Sequence, residues 1–126
     1  MNQIAIGLAV LLAVAIIAIG LQYIFAQQTT VRMFGLPLPD SGANTAWWLR
    51  LKGVRDIASG LTVLSMLIWA SPREMGIILL AESFIALGDM SMILAAKGST
   101  ARAYGMHGVT ALVMIVVGIV LVLGVH

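Results

Sequence analysis

The sequence contains no cysteine, which excludes structural disulfides, thiolate metal centres, iron–sulfur clusters and any Cys-x-x-Cys redox relay. Charge is equally scarce: Lys, Arg, Asp and Glu make up 10% of the 126 residues, against about 25% in soluble domains. With 61% of the chain hydrophobic, too little polar material remains for a soluble globule, a separate catalytic domain, a nucleic-acid-binding arm or a disordered tail. The net charge of +2 rests on seven basic against five acidic residues, so it reflects topology and not a basic patch for nucleic acid. No glycine-rich phosphate loop is present.

What the sequence does have is long apolar runs. A membrane-crossing helix takes about 20 apolar residues, so four of them use roughly 80 positions and leave about 40 for connections and ends. Ile4 to Phe25 carries no charge and only Gln22 as a strongly polar side chain, which predicts the first span over 4–25. A cleaved signal peptide is the competing reading, but Met1-Asn2-Gln3 supplies no basic n-region and the apolar run is too long. Ala26 to Thr45 reads as a surface connection, with Gly35-Leu36-Pro37-Leu38-Pro39-Asp40-Ser41-Gly42 extended and rich in turns, and Met33, Phe34 and Leu36 dipping into the interface. Asn44 or Thr45 is the expected N-cap of the second span, 47–70, where Trp47-Trp48 beside Arg50 and Lys52 marks the headgroup level.

Ser71-Pro72-Arg73-Glu74 has the pattern of a capping box with proline at the first helical position, predicting a tight hairpin into the third span, 73–96. Lys97-Gly98 closes that span with a cation and a C-terminal glycine. The fourth span covers 103–125. The expected fold is therefore all-α, an integral membrane bundle of four transmembrane helices in a single domain over 1–126. Arg32, Arg50, Lys52, Lys97 and Arg102 fall on one side and Arg73 alone on the other, which predicts both termini on the non-cytoplasmic side of a plasma or bacterial inner membrane.

The informative residues are the ionisable ones inside these spans: Arg55 and Asp56 in the second, Glu82 and Asp89 in the third, His107 in the fourth. A charge near the bilayer centre costs roughly 2.5–3.5 kcal/mol on insertion scales, so these side chains are expected to face the bundle interior and find partners. Counted from the flanking cations at 1.5 Å per residue, Arg55, Asp89 and His107 share a level about 7–12 Å deep, and Glu82 lies on the face of Asp89 about 10 Å deeper. Neighbours in sequence diverge around a helix, so Arg55 and Asp56 each need a partner elsewhere. The preferred pairs are Arg55 with Asp89, and Asp56 with His107 or Tyr104. One arginine cannot balance three carboxylates, and Glu82, without an evident cation, is the group expected to be neutral, as a buried donor or a proton carrier.

The pattern predicts acid–base roles for Asp56, Glu82, Asp89 and His107 and binding roles for Arg55 and Tyr104, with no metal and no cofactor. His107 and His126 are about 28 Å apart along a helix, too far to ligate one haem iron. Dinuclear carboxylate chemistry would need Glu-x-x-His spacings, which are absent. The glycines read as close-approach points and the methionines as adaptable apolar packing.

The segment Leu51 to Leu61, with Gly53-Val54-Arg55-Asp56 at its centre, resembles the signature of an uncharacterised family of small four-helix membrane proteins, distantly similar to DoxX-like proteins. The likeness extends to Phe34-Gly35, Leu87-Gly88-Asp89 and His107-Gly108. It implies a four-helix fold with Arg55, Asp56, Asp89 and His107 at matching positions, and no substrate.

Three functions suit these features. The first is a pocket inside the membrane that binds, and converts by acid–base chemistry, a lipophilic small molecule. The second is an accessory subunit of a larger membrane complex, whose polar cluster serves as interhelical adhesive. The third is a proton-coupled small-molecule transporter. The expected partners are the lipid bilayer, a lipophilic ligand, and either further copies of the chain or a larger membrane complex.

Overall fold

The computed structural model describes residues 2–124. Val125, which ends the expected fourth span, and His126 lie outside the described residues. The chain is all-α: α1 (Asn2–Phe25), α2 (Gln27–Phe34), α3 (Ala43–Trp69), α4 (Pro72–Ala95) and a final rod that runs from α5 (Thr100–Arg102) through a π-helical segment (Ala103–Gly108) into α6 (Val109–Leu123). Among the described residues three rods are long and apolar enough to cross a membrane: Gln3–Phe25 of α1, α4 and Thr100–Leu123. At 27 residues α3 has the length, but its first half carries Arg50, Lys52, Arg55 and Asp56.

The helices pack most intimately as two pairs, α1 with α3 and α4 with α6. Glycine makes both pairings possible. A Cβ on Gly20 would sit 2.6 Å from the Gly53 carbonyl oxygen, and one on Gly76 would sit 2.7 Å from that of Gly118, so at each crossing two backbones touch directly. Ala5, Ala9 and Ala13, spaced by four, continue the close seam along α1. Gly53 of the Gly-x-Arg-Asp segment is thus the point where α3 meets α1, and three residues later Asp56 is buried.

The ends of the elements refine the sequence reading. At Ser71 the capping box is complete: the Glu74 amide donates to Ser71 Oγ at 3.4 Å and the Ser71 amide donates to Glu74 Oε2 at 2.7 Å. Gly42, with no side-chain cap, precedes α3, which begins at Ala43 before either expected cap, Asn44 or Thr45. The left-handed residue after α4 is Lys97 (φ 54°), while Gly98 is small because a Cβ there would collide with the Gly35 carbonyl oxygen. The Gly98 amide donates to Ile93 O at 2.8 Å and the Lys97 amide to Leu94 O at 3.1 Å, closing the helix in a Schellman motif.

The connection Ala26 to Thr45 contains a helix, α2 over Gln27–Phe34, ahead of the Gly35–Gly42 stretch, which is non-helical as expected. The register of α2 buries Thr30 and brings Phe34 and part of Met33 to the cavity, while Met33 and Leu36 both keep exposed surface. Three polar contacts hold α2 in place. Gln27 Nε2 donates to Ala46 O at 3.1 Å, the Ser99 amide donates to Gly35 O at 2.8 Å, and His107 Nε2 lies 3.1 Å from Phe34 O.

Candidate functional site

The two helix pairs do not close on each other completely. Between them, capped by α2, lies a cavity of about 560 Å³. Its apolar wall is built by Leu12, Ile16 and Ile19 of α1, Ile85 and Ala86 of α4, and Met114 of α6. Into the same space face Tyr23, Lys52, Arg55, Asp56, Ser59, Glu82, Asp89 and His107.

The ion pairing differs from the sequence expectation. Asp56 is held by Lys52, one turn back on the same helix, whose Nζ donates to Oδ1 at 3.1 Å and to Oδ2 at 2.9 Å. Asp89 faces His107, with 3.7 Å between Oδ2 and Nδ1. The expected pairs, Arg55 with Asp89 and Asp56 with His107 or Tyr104, are therefore replaced by Lys52–Asp56 and Asp89–His107. The physical reason is reach: at i,i+4 a lysine meets a carboxylate without crossing the bundle, and doing so draws Lys52 inward from the headgroup level assigned to it. Its ammonium rests 4.9 Å from the Tyr23 ring centroid and 5.0 Å from that of Phe34.

Arg55 lines the cavity from an exposed position and forms no ion pair among the described residues. Ser59, one turn further along α3, is the polar neighbour of Glu82. Tyr104 is not part of the cavity wall; it is 59% exposed. It lies in the π-helical segment, whose wider turn separates the directions of residues three apart and sends Tyr104 outward while His107 faces in.

His107 is oriented from its far side. A backbone carbonyl only accepts, so the contact with Phe34 O requires the proton on Nε2 and leaves Nδ1 as the nitrogen presented to Asp89 and the cavity. The Phe34 ring reinforces this edge-on, at 4.7 Å between centroids. Two segments far apart in sequence, Phe34-Gly35 and His107-Gly108, thus form one unit that sets the imidazole.

The family model described as "Domain of unknown function (DUF4267)" matches residues 13–121. The chain belongs to this family. No curated protein and no solved structure matches it. In this DUF4267 member the match runs through every cavity-lining residue from Ile16 to Met114.

Several wall residues of the DUF4267 cavity have no site role in the sequence pattern, Tyr23, Phe34, Lys52 and Ser59 among them. Lys52 looked like an interfacial anchor, although its spacing to Asp56 was the available signal. Phe34 lies in the Phe34-Gly35 segment that carries the family resemblance, whereas Tyr23 has no local signal, because only the tertiary path of α1 brings it in. With Lys52 included, the cavity wall carries two basic side chains and three carboxyls, so by formal charge a single additional proton makes it neutral. Asp89 Oδ2 and His107 Nδ1 face each other at 3.7 Å, beyond direct hydrogen-bond distance, and Glu82 lies in the same wall. Among the described residues no group of three or more His, Asp or Glu is arranged to hold a metal ion.

Proposed function

We propose that this DUF4267 member is a multi-pass protein of a plasma-type or bacterial inner membrane, whose cavity binds one lipophilic small molecule and exposes it to acid–base chemistry. In this reading α3 crosses the bilayer as the fourth span. Its charges are compatible with that because Lys52 and Asp56 satisfy each other inside the bundle and Arg50 lies at the interface, its guanidinium 4.6 Å from the Trp47 ring centroid. Cation placement orients both termini to the non-cytoplasmic side.

The observation that carries the proposal is the cavity: a space of about 560 Å³, within the 300–1,000 Å³ range usual for small-molecule sites, with apolar walls and a few convergent polar groups. Adhesive alone is a poorer account of the same residues. The strongest ion pair, Lys52–Asp56, lies within one helix and so joins no helices together. The Asp89–His107 pair supplies the chemistry: Nδ1 takes a proton from a bound molecule or Asp89 returns one, which suits isomerisation, cyclisation or hydration and calls for no redox partner.

The test is a ligand screen by thermal shift on purified protein with a panel of uncharged lipophiles, repeated on Asp89→Asn and His107→Ala. Binding with retained affinity but lost turnover in both variants is the expected result. If both variants stay folded and keep every measured binding and conversion unchanged, the site performs no chemistry.

A further inference from the structure

Among the described residues, Tyr23 is the one fully buried member of the cavity wall whose polar atom has no partner; the other buried polar wall residues, Thr30 and Asp56, are bonded to Ala26 O and Lys52. Its side chain is almost wholly buried, at 2% exposure, and it faces the cavity from α1. Its hydroxyl lies within electrostatic range of the Asp56 and Asp89 carboxylates but hydrogen-bonds to neither, and it has no other hydrogen-bond partner among the described residues. Both carboxylates are engaged elsewhere, Asp56 by Lys52 and Asp89 facing His107. A buried hydroxyl without a partner forfeits the free energy of a hydrogen bond, so such a group in a cavity points to something that fills it.

We propose that Tyr23 is a ligand-binding residue, and that its phenolic O–H donates to an acceptor oxygen of an uncharged lipophile, of which a ketone is the simplest case. The inference rests on the cavity being a small-molecule site, and it specifies what that site selects. Charge decides among ligand classes. A carboxylate would add a further negative charge to a wall in which two cations, Lys52 and Arg55, already face three carboxyls. An ammonium would be drawn to those carboxylates and would leave the phenol proton without an acceptor. A carbonyl accepts the phenol hydrogen without adding charge to a cavity that one proton neutralises. Volume sets the size: at ordinary packing a space of this kind holds about 20 non-hydrogen atoms, which admits a single chain or a small ring system and excludes a two-chain phospholipid. The apolar body would lie along Ile16, Ile19, Ile85 and Met114.

The experiment uses the full chain in lipid nanodiscs with two probes, a long-chain methyl ketone labelled with ¹³C at the carbonyl and the alkane of the same length. Binding is followed by thermal shift, and the labelled carbonyl stretch by infrared difference spectroscopy. The expected result is that the ketone binds with its carbonyl band moved to lower wavenumber. Tyr23→Phe, which keeps the ring and its packing, should remove that displacement and weaken the ketone about tenfold while leaving the alkane unchanged. The unchanged alkane affinity also reports that the variant is folded. A ketone that binds with an undisplaced band, or a displacement that survives in Tyr23→Phe, overturns the role of Tyr23 and leaves the cavity as a binding site. Failure of both probes to bind the wild-type chain overturns the role together with the small-molecule reading beneath it.

Discussion

Lys52 carries more of the site than its position near the end of α3 implies. Its ammonium neutralises Asp56, whose side chain is 9% exposed, and stacks between two aromatic faces. Lys52→Met should therefore leave a buried carboxylate unpaired and lower stability by about 1–3 kcal/mol. The double variant Lys52→Met with Asp56→Leu should recover most of that loss, because removing both partners removes the unpaired charge. Unfolding by denaturant titration in detergent, run as a double-mutant cycle, measures the coupling; equal stability of the wild-type and Lys52→Met chains would show that Asp56 does not depend on Lys52. The sequence placed Arg55, Asp56, Glu82, Asp89 and His107 at reachable depths, but it could not choose between partners, since partner choice depends on which side chain arrives first without crossing the bundle. Tyr104 illustrates the complementary limit: its distance in sequence from His107 fits a shared face only if the backbone stays α-helical.

At the scale of elements, the long apolar runs and the capping box made the four rods legible, because both signals are local and lie in the residues themselves. Two features were not legible for the same reason. The α2 helix has a polar start, Gln27-Gln28-Thr29-Thr30, and is held by contacts with Ala46, Ser99 and His107 that lie outside it. The π-helical segment Ala103–Gly108 has no local code, and its effect is to aim His107 into the cavity. What joins the rods is testable at single atoms. A Cβ at Gly53 would lie 2.5 Å from the Gly20 carbonyl oxygen, and neither backbone can give way without parting α1 from α3. Gly53→Ala should cost about 1–3 kcal/mol and weaken ligand binding, since the same stretch carries Lys52 and Asp56. Gly88→Ala, where a Cβ would meet nothing within 4 Å, should instead hold stability level or raise it by about 0.5–1 kcal/mol. Thermal unfolding of the two variants side by side separates close helix approach from a general intolerance of larger residues.

At the scale of the whole molecule, orientation decides which side of the membrane the capped end of the cavity faces. The residues that cover it belong to α2, and the loop Lys97–Ser99 that pins α2 shares its side with Arg32 and Arg102, whereas the connection between α3 and α4 has only Arg73. By the bias of cations toward the cytoplasm, α2 and the polar end of the site should face inward, so that water and protons exchange with the cytoplasm while lipophiles enter from the bilayer. The absence of native cysteine makes this directly measurable, because any single introduced thiol is unique. Ser41→Cys lies in the exposed connection after α2, and Ala70→Cys lies between α3 and α4 without disturbing the Ser71 cap. A membrane-impermeant maleimide added to intact cells should label Ala70→Cys and spare Ser41→Cys until the cells are opened. Labelling of Ser41→Cys alone in intact cells would invert the molecule and place the Asp89–His107 pair in contact with the outside, making the external pH the one that sets its protonation. Labelling of both would mean that α3 does not cross the bilayer, and a three-span arrangement would then leave Lys52 and Asp56 at the membrane surface.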